Sequence, residues 1–170
     1  MCKATNRTRI FLFIALLAIA LPLLAEGERF ALPASGDTVT LRSDEAWEDE
    51  QADVIHFSGR FELKGSDWHL SADQATLYGK LDDPESVILN GTPSVILLTP
   101  ETEGQVRTIT GEALRIVYQR DNNRILMEGN ASLTRDNNTM RGGEIEYDFV
   151  QDYLSAGGTE GVDFKFNGEK

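Results

Sequence analysis

From Val54 onward, apolar and polar residues alternate with a period of two. Ile55, Phe57, Phe61 and Leu63 share one parity, and His56, Ser58, Arg60 and Glu62 share the other. That is the pattern of a strand with one face in a core and one in water. The alternation returns around Val87 to Leu89, Val95 to Leu97, Leu114 to Ile116, Ile125 to Met127 and Ile145 to Tyr147. Turn formers separate the runs: Lys64-Gly65-Ser66-Asp67, Leu81-Asp82-Asp83-Pro84, Asp121-Asn122-Asn123 and Asp136-Asn137-Asn138. Turn signals this regular predict an all-β sandwich, roll or barrel of short antiparallel strands. The one stretch compatible with a helix is Asp44 to Ala52.

A repeat underlies the alternation. Phe57, Leu89 and Met127 are each followed by a spacer, a glycine, and an apolar residue four positions beyond that glycine: Gly59 with Leu63, Gly91 with Val95, Gly129 with Leu133. Gly158 with Val162 is a fainter fourth copy, and the glycines fall 32, 38 and 29 residues apart. A second half-repeat places a tiny residue before larger apolar ones at +3 and +5: Ala72 with Ala75 and Leu77, Gly111 with Leu114 and Ile116, Gly142 with Ile145 and Tyr147. An odd step moves the inward face from one parity to the other, as a bulge or corner does. Strands that bend repeatedly at small residues predict a sheet folded over on itself into an elongated roll.

The N-terminus stands apart from this pattern. Lys3, Arg7 and Arg9 precede an apolar run from Ile10 to Leu24, and Ala25 precedes the polar Glu26-Gly27-Glu28. This is the layout of a secretory signal peptide, so residues 1–25 are expected to be cleaved and 26–170 to fold as a single domain. The apolar run is short of the ~20 residues a membrane-spanning helix needs. Cleavage would remove the sole cysteine and leave 13 basic against 28 acidic side chains, a net charge of −15. Without thiols, stability must come from the core and the backbone ladders. So acidic a chain excludes nucleic acid as a partner class, because phosphate-backbone binding needs clustered Lys and Arg.

Several segments in order resemble a known family: Leu41-Arg42-Ser43-Asp44-Glu45-Ala46-Trp47 leading into Val54-Ile55-His56-Phe57-Ser58-Gly59, then Leu70-Ser71-Ala72-Asp73-Gln74-Ala75, then Ile125 to Leu133 through Gly142-Gly143-Glu144-Ile145-Glu146-Tyr147. Together they are similar to the OstA-like domain, from about Thr38 to Phe166. The resemblance implies an open β-jelly-roll with a hydrophobic groove that carries lipopolysaccharide from the inner to the outer membrane. It also implies partners in both membranes, a periplasmic location in a Gram-negative cell and head-to-tail stacking of copies, with no cofactor and no metal.

The inward candidates are Ile55, Phe57, Phe61, Leu63, Leu70, Leu77, Leu89, Val95, Leu97, Leu114, Ile116, Met127, Leu133, Met140, Ile145, Tyr147 and Phe149, with His56, Ile96 and Arg115 outward. Read from the residues alone, these make either a closed core or a cargo site; the resemblance favours cargo. The anionic headgroup is expected at the rim, near cations such as Arg60, Lys64 or Arg115. Val39 and Leu41 at the first strand, and Val162, Phe164 and Phe166 at the last, mark edges with little to guard them against strand addition.

Enzymatic chemistry has little to stand on. His56 and His69 lie outside metal-ligand spacing, and the sequence carries no Gly-x-Ser-x-Gly elbow. The acidic pairs lie in turn-like sequence, and the Asp-Asn-Asn triplets lack the glycine and glutamate of a calcium loop. Two other functions fit the sequence: a membrane-anchored relay of the same pathway, and a β-sandwich glycan binder using Trp47, Trp68 and Tyr78.

Overall fold

A computed structural model describes residues 38–81, 83–99, 101–102, 105–159 and 161–166. The signal-peptide segment 1–25 lies outside the described residues. The described residues hold twelve strands and no helix. They are β1 Thr40–Arg42, β2 Glu45–Asp49, β3 Val54–Lys64, β4 Trp68–Lys80, β5 Asp83–Leu98, β6 Glu101–Thr102, β7 Gln105–Val106, β8 Ile109–Gln119, β9 Arg124–Arg135, β10 Asn138–Asp148, β11 Tyr153–Gly157 and β12 Asp163–Lys165. The stretch compatible with a helix is strand β2 followed by a turn, because Ala46 and Trp47 ladder with Phe57 and His56 of β3.

Ten strands make one antiparallel sheet in the order β1-β3-β4-β5-β8-β9-β10-β11, with β2 also on β3 and β12 also on β10. Strands β6 and β7 pair separately, between β5 and β8 in the chain. Every long strand of the main sheet breaks near its middle. The register slips at Ser58/Phe61, Ser71/Gln74, Asn90/Ser94, Glu112/Arg115 and Gly142/Glu144, and at Gly129-Asn130 opposite the last of these. The breaks lie side by side and form a crease that divides the sheet into two leaves. The β1 leaf holds β1, β12 and one half of each long strand; the β2 leaf holds β2, β11 and the other halves.

The strands turn this corner in two ways. On β3 and β9 the pairs Gly59-Arg60 and Gly129-Asn130 take left-handed backbone, with φ of 76° and 47°, then 78° and 52°. Glycine reaches that region at little steric cost, and the step preserves parity, so Phe57 and Phe61 both point inward. On β4, β5, β8 and β10 the parity changes: Ala75 to Ala72, Leu89 to Ser94, Ile116 to Ala113, Ile145 to Met140. From β4 to β10 the inner line of the crease is lined by small residues, Ala72, Ser94, Ala113, Ala131 and Gly142, where a concave bend leaves little room, while on β3 Phe61 stands beside Ala72 at the start of the line.

Cross-strand partners define continuous inward rows. In the β1 leaf one row reads Leu41, Leu63, Leu70, Ile96, Gly111, Leu133, Met140, Phe164, from one edge of the sheet to the other. In the β2 leaf its counterpart reads Ala46, Phe57, Ala75, Leu89, Ile116, Met127, Ile145, Ala156. Buried residues of both leaves form one core cluster. A Cβ added to Gly111 would stand 2.7 Å from Met127 Sδ. Along a flat strand the six residues from Met127 to Leu133, the partner of Gly111, would span about 20 Å, so the leaves face each other.

The rows correct three inward assignments. Val95 and Leu97 point outward, in rows with Ser71 and His69, while Ile96 and Leu98 are buried. The odd step on β5 reverses a parity that the glycine repeat had carried straight through. Leu114 is 46% exposed on the outer side, and Ala113 takes the inward place. Its side chain lies over the bulge of the next strand, where a Cβ on Gly129 would meet Leu114 Cδ1 at 3.0 Å. Ile55 and Phe149 are partly buried and pack against the core, and the other assigned residues are buried.

Gly111→Ala should lower stability by about 1–3 kcal/mol, because the new methyl meets Ile96 Cγ2 at 2.7 Å and a β-branched side chain yields little. Urea denaturation of Gly111→Ala, Met127→Ala and the double variant should show non-additivity of at least about 0.5 kcal/mol. Strict additivity would mean that the leaves do not touch at this point.

Candidate functional site: the apolar interior and its lips

The two leaves enclose a strip of apolar side chains. Beside the two rows above, the β2 leaf carries a third nearer its free end: Ile55, Leu77, Val87, Tyr118, Ile125, Tyr147 and Leu154. Against it the β1 leaf sets Trp68, Leu98 and Ile109, with Arg135 next in the ladder. The interior is filled by these side chains: Met127 and Ile145 are at 0% exposure. Among the described residues two buried side-chain polar atoms have no partner, Trp68 Nε1 and Ser94 Oγ, and both belong to inward-facing residues of the β1 leaf.

At the β9–β11 end the free lips of the leaves are joined. Asp152, in the turn before β11, accepts a hydrogen bond from the Tyr147 hydroxyl at 2.9 Å and pairs with Arg135 Nη1 from the opposite leaf. Arg107 stands 3.8 Å from Asp152 and 3.8 Å from Asp136. Arg135 and Ile125, the ladder partner of Tyr147, are ten residues apart on β9, about 33 Å along a flat strand. Their convergence shows the roll closing at this end. Burial, and then the hydrogen bond to Asp152, push the Tyr147 phenol above the usual tyrosine range, while the neighbouring guanidinium of Arg135 opposes the shift.

Of the cations expected at the rim, Lys64 is exposed at the end of β3, on the free margin of the β1 leaf, and the two arginines are placed otherwise. Arg60 and Arg115 both sit at the crease, one paired with Asp44 and the other with Glu128. The Arg60 guanidinium holds the Asp44 carboxyl below the usual carboxylate range. Arg124, on the outer face, meets Glu146 at 2.8 Å and Asp148 at 3.5 Å. The ion pair at the lip was missed from sequence because Arg107, Arg135 and Asp152 are scattered along the chain and meet only when the sheet folds over.

Each side edge of the sheet is made by two short strands, one per leaf. On one side are β1 and β2, and on the other β12 and β11. Phe164 and Phe166 stack at a ring separation of 4.8 Å and are 49% and 72% exposed, and Val162 is also exposed. Phe164 ends the inward row at one side as Leu41 does at the other, and Val39 is partly buried beside it. An open cleft lined by Leu41, Ser43, Asp44, Ala46, Arg60 and Glu62 lies between β1 and β2. The aromatics of a sugar platform are not brought together. Trp68 is 3% exposed inside the roll, whereas Trp47 stacks on His56 on the outer face at 5.2 Å. Among the described residues no cluster of His, Cys, Asp and Glu is arranged to hold a metal ion.

An open antiparallel jelly roll whose concave face is apolar from edge to edge, with no polar constellation inside among the described residues, defines an OstA-like protein. Residues 40–153 match the family described as LptA/(LptD N-terminal domain) LPS transport protein, and the chain belongs to that family. Among solved structures it is similar to LptH, the LptA homologous periplasmic component of the conserved lipopolysaccharide transport device from Pseudomonas aeruginosa. The TM-score is 0.67 at 20% sequence identity, over 77% of this chain and 96% of that one, a likeness of fold. No curated protein matches the sequence.

Because the folded-state pKa of Tyr147 is raised, its contribution to stability is complete below the ~10 of a free phenol and is lost as pH rises through the folded value. Subtracting the phenolate titration of Tyr147→Phe from that of the parent should give a midpoint above 10. A midpoint at or below 10 would show that the hydroxyl is not enclosed at the lip.

Proposed function

We propose that the chain is a non-enzymatic periplasmic carrier and bridge component that binds lipopolysaccharide by its acyl chains and passes it from the inner to the outer membrane. The observation that carries this reading is the unbroken inward row from Leu41 to Phe164, which gives an apolar path across the whole sheet. Acyl chains need nothing else: each buried CH₂ contributes ~0.8 kcal/mol. The family to which the chain belongs supports the cargo. In this reading residues 1–25 are a signal peptide, 26–170 are the single domain delivered to the periplasm, and the partners are the inner- and outer-membrane components of the transport system.

The interior is closed on itself, so cargo enters as the leaves part and acyl chains take the place of contacts between them. A photo-crosslinking residue at Phe57, Ile96, Ile116, Met127 or Tyr147 should label lipopolysaccharide, and one at His56, Val95, Leu97 or Leu114 should label it far less. Equal labelling of both sets would end the proposal. Leu133→Asp should remove binding, since it sets an unpaired carboxylate among acyl chains.

Copies join head to tail in this proposal, the β12 edge of one against the β1 edge of the next. Exposed backbone groups template strand addition, and a heterologous contact of this kind does not close. Such a joint sets Phe164 beside Leu41 and continues the apolar row. Val39→Pro and Lys165→Pro should each lower the assembly state in sedimentation while circular dichroism shows the sheet intact. Assembly equal to the parent would rule out edge pairing.

A further inference from the structure

A lipid with phosphates on its headgroup meets, in the carrier reading, a chain 26–170 of net charge −15, so its anionic end requires a local group of cations. Arg60 and Arg115 serve the crease, and Arg124 serves the outer face. Arg107 and Arg135 differ in place. They meet at the lip, beside the ends of the inward apolar rows, and there they share one carboxylate.

Three donors converge on that carboxylate. Arg135 Nη1 and the Tyr147 hydroxyl both donate to Asp152 Oδ1, and Arg107 Nη1 stands 3.8 Å from Oδ2. They come from different stretches of the chain and from both leaves. Two guanidinium groups and a hydroxyl gathered around one carboxylate, with Arg107 Nε also 3.8 Å from Asp136 Oδ2, are the composition of a phosphate site, because the planar fork of arginine matches paired oxygens. Asp152 reaches this position from an exposed turn, with φ of 47°. Its side chain and that of Arg107 are about half exposed, and ion pairs so open to water are held weakly. A phosphate monoester carries more charge and more acceptor oxygens than the carboxylate it would displace.

We infer that Arg107, Arg135 and Tyr147 form the binding site for a phosphate monoester of the lipid headgroup, with Asp152 occupying it in the unloaded chain. This rests on the carrier reading and adds the headgroup position and a consequence for entry. When phosphate takes the arginines, Asp152 is released, and with it the tie between the lips. The headgroup thus docks at the place where the roll must open for the acyl chains.

The test uses Trp68, buried inside the roll, as the emission reporter in a Trp47→Phe background. The probes are bisphosphorylated lipid A, the same lipid with its phosphates removed, and inorganic phosphate alone. The parent should bind the phosphorylated lipid about tenfold more tightly than the dephosphorylated one, a difference of about 1.4 kcal/mol. Arg107→Gln combined with Arg135→Gln should abolish that difference. Asp152→Asn should move affinity the opposite way and tighten the phosphorylated lipid, a gain that a misfolded protein could not show. Lipid binding without a phosphate preference, or a preference that survives the double arginine variant, would overturn the arginine site and leave the carrier reading standing. Failure of both lipids to bind the parent would overturn both. A response to inorganic phosphate equal to that to lipid would assign the site to a soluble anion and overturn the headgroup assignment.

Discussion

A sheet folded back on itself has a concave inner line at which side chains from both leaves compete for the same space, and the rest of this structure follows from how that line is filled. Ala72, Ser94, Ala113, Ala131 and Gly142 occupy it on the five successive strands from β4 to β10 of the main sheet, and the rows on either side hold larger residues except at Ala75 and Gly111. Close packing explains the choice: an extra methylene at such a place has nowhere to go, and overpacking costs about 1–3 kcal/mol. The bulges at the same positions let each strand bend without leaving a long unpaired stretch. The small side chains and the ladder breaks are two aspects of one constraint.

This constraint was readable in the sequence where the small residue is isolated and obscured where it is not. On β4 and β10 the tiny residue with apolar neighbours at +3 and +5 locates the bend: Ala72 with Ala75 and Leu77, Gly142 with Ile145 and Tyr147. On β8 the same rule holds from Ala113, through Ile116 to Tyr118, but Gly111 two places earlier fits equally well and carries the assignment to Leu114. On β5 four consecutive aliphatic residues, Val95 to Leu98, give no parity at all, and the even step taken from Gly59 and Gly129 fails there. Alternation is a local signal, and a bulge resets it. The edges were legible only in part. Short strands β2 and β11 complete them, and β2 is made of exposed residues whose pairing with β3 leaves no hydrophobic trace.

Charge is distributed to suit the same geometry. Arg60 with Asp44 and Arg115 with Glu128 bracket the crease from outside, where backbone bends and side chains splay. At the far margin Asp152 bridges Arg135 and Arg107, and Asp148 caps its own turn by accepting from the backbone amides of Val150 and Gln151 at 2.9 Å. Exposed pairs of this kind, screened by water, contribute little to stability. Their value is positional: they hold the bend and the lip while the apolar rows between them carry the stability.

A filled interior and an apolar cargo are compatible on energetic grounds. Closing the empty roll is favoured because the facing rows are removed from water. If acyl chains lie between the leaves, those rows are still removed from water, so the hydrophobic term opposes the parted state only while it is empty. The remaining cost is the loss of close contacts between leaves, such as Met127 against Gly111, and contacts with acyl carbon replace these in kind. The backbone offers little resistance, because the ladder is already interrupted on every long strand along the crease, and the leaves can pivot there without breaking the pairings that define them. What remains to be released at the free margin is the polar tie of Asp152 to Arg135 and Tyr147, which joins one leaf to the other and is weak because it is open to water.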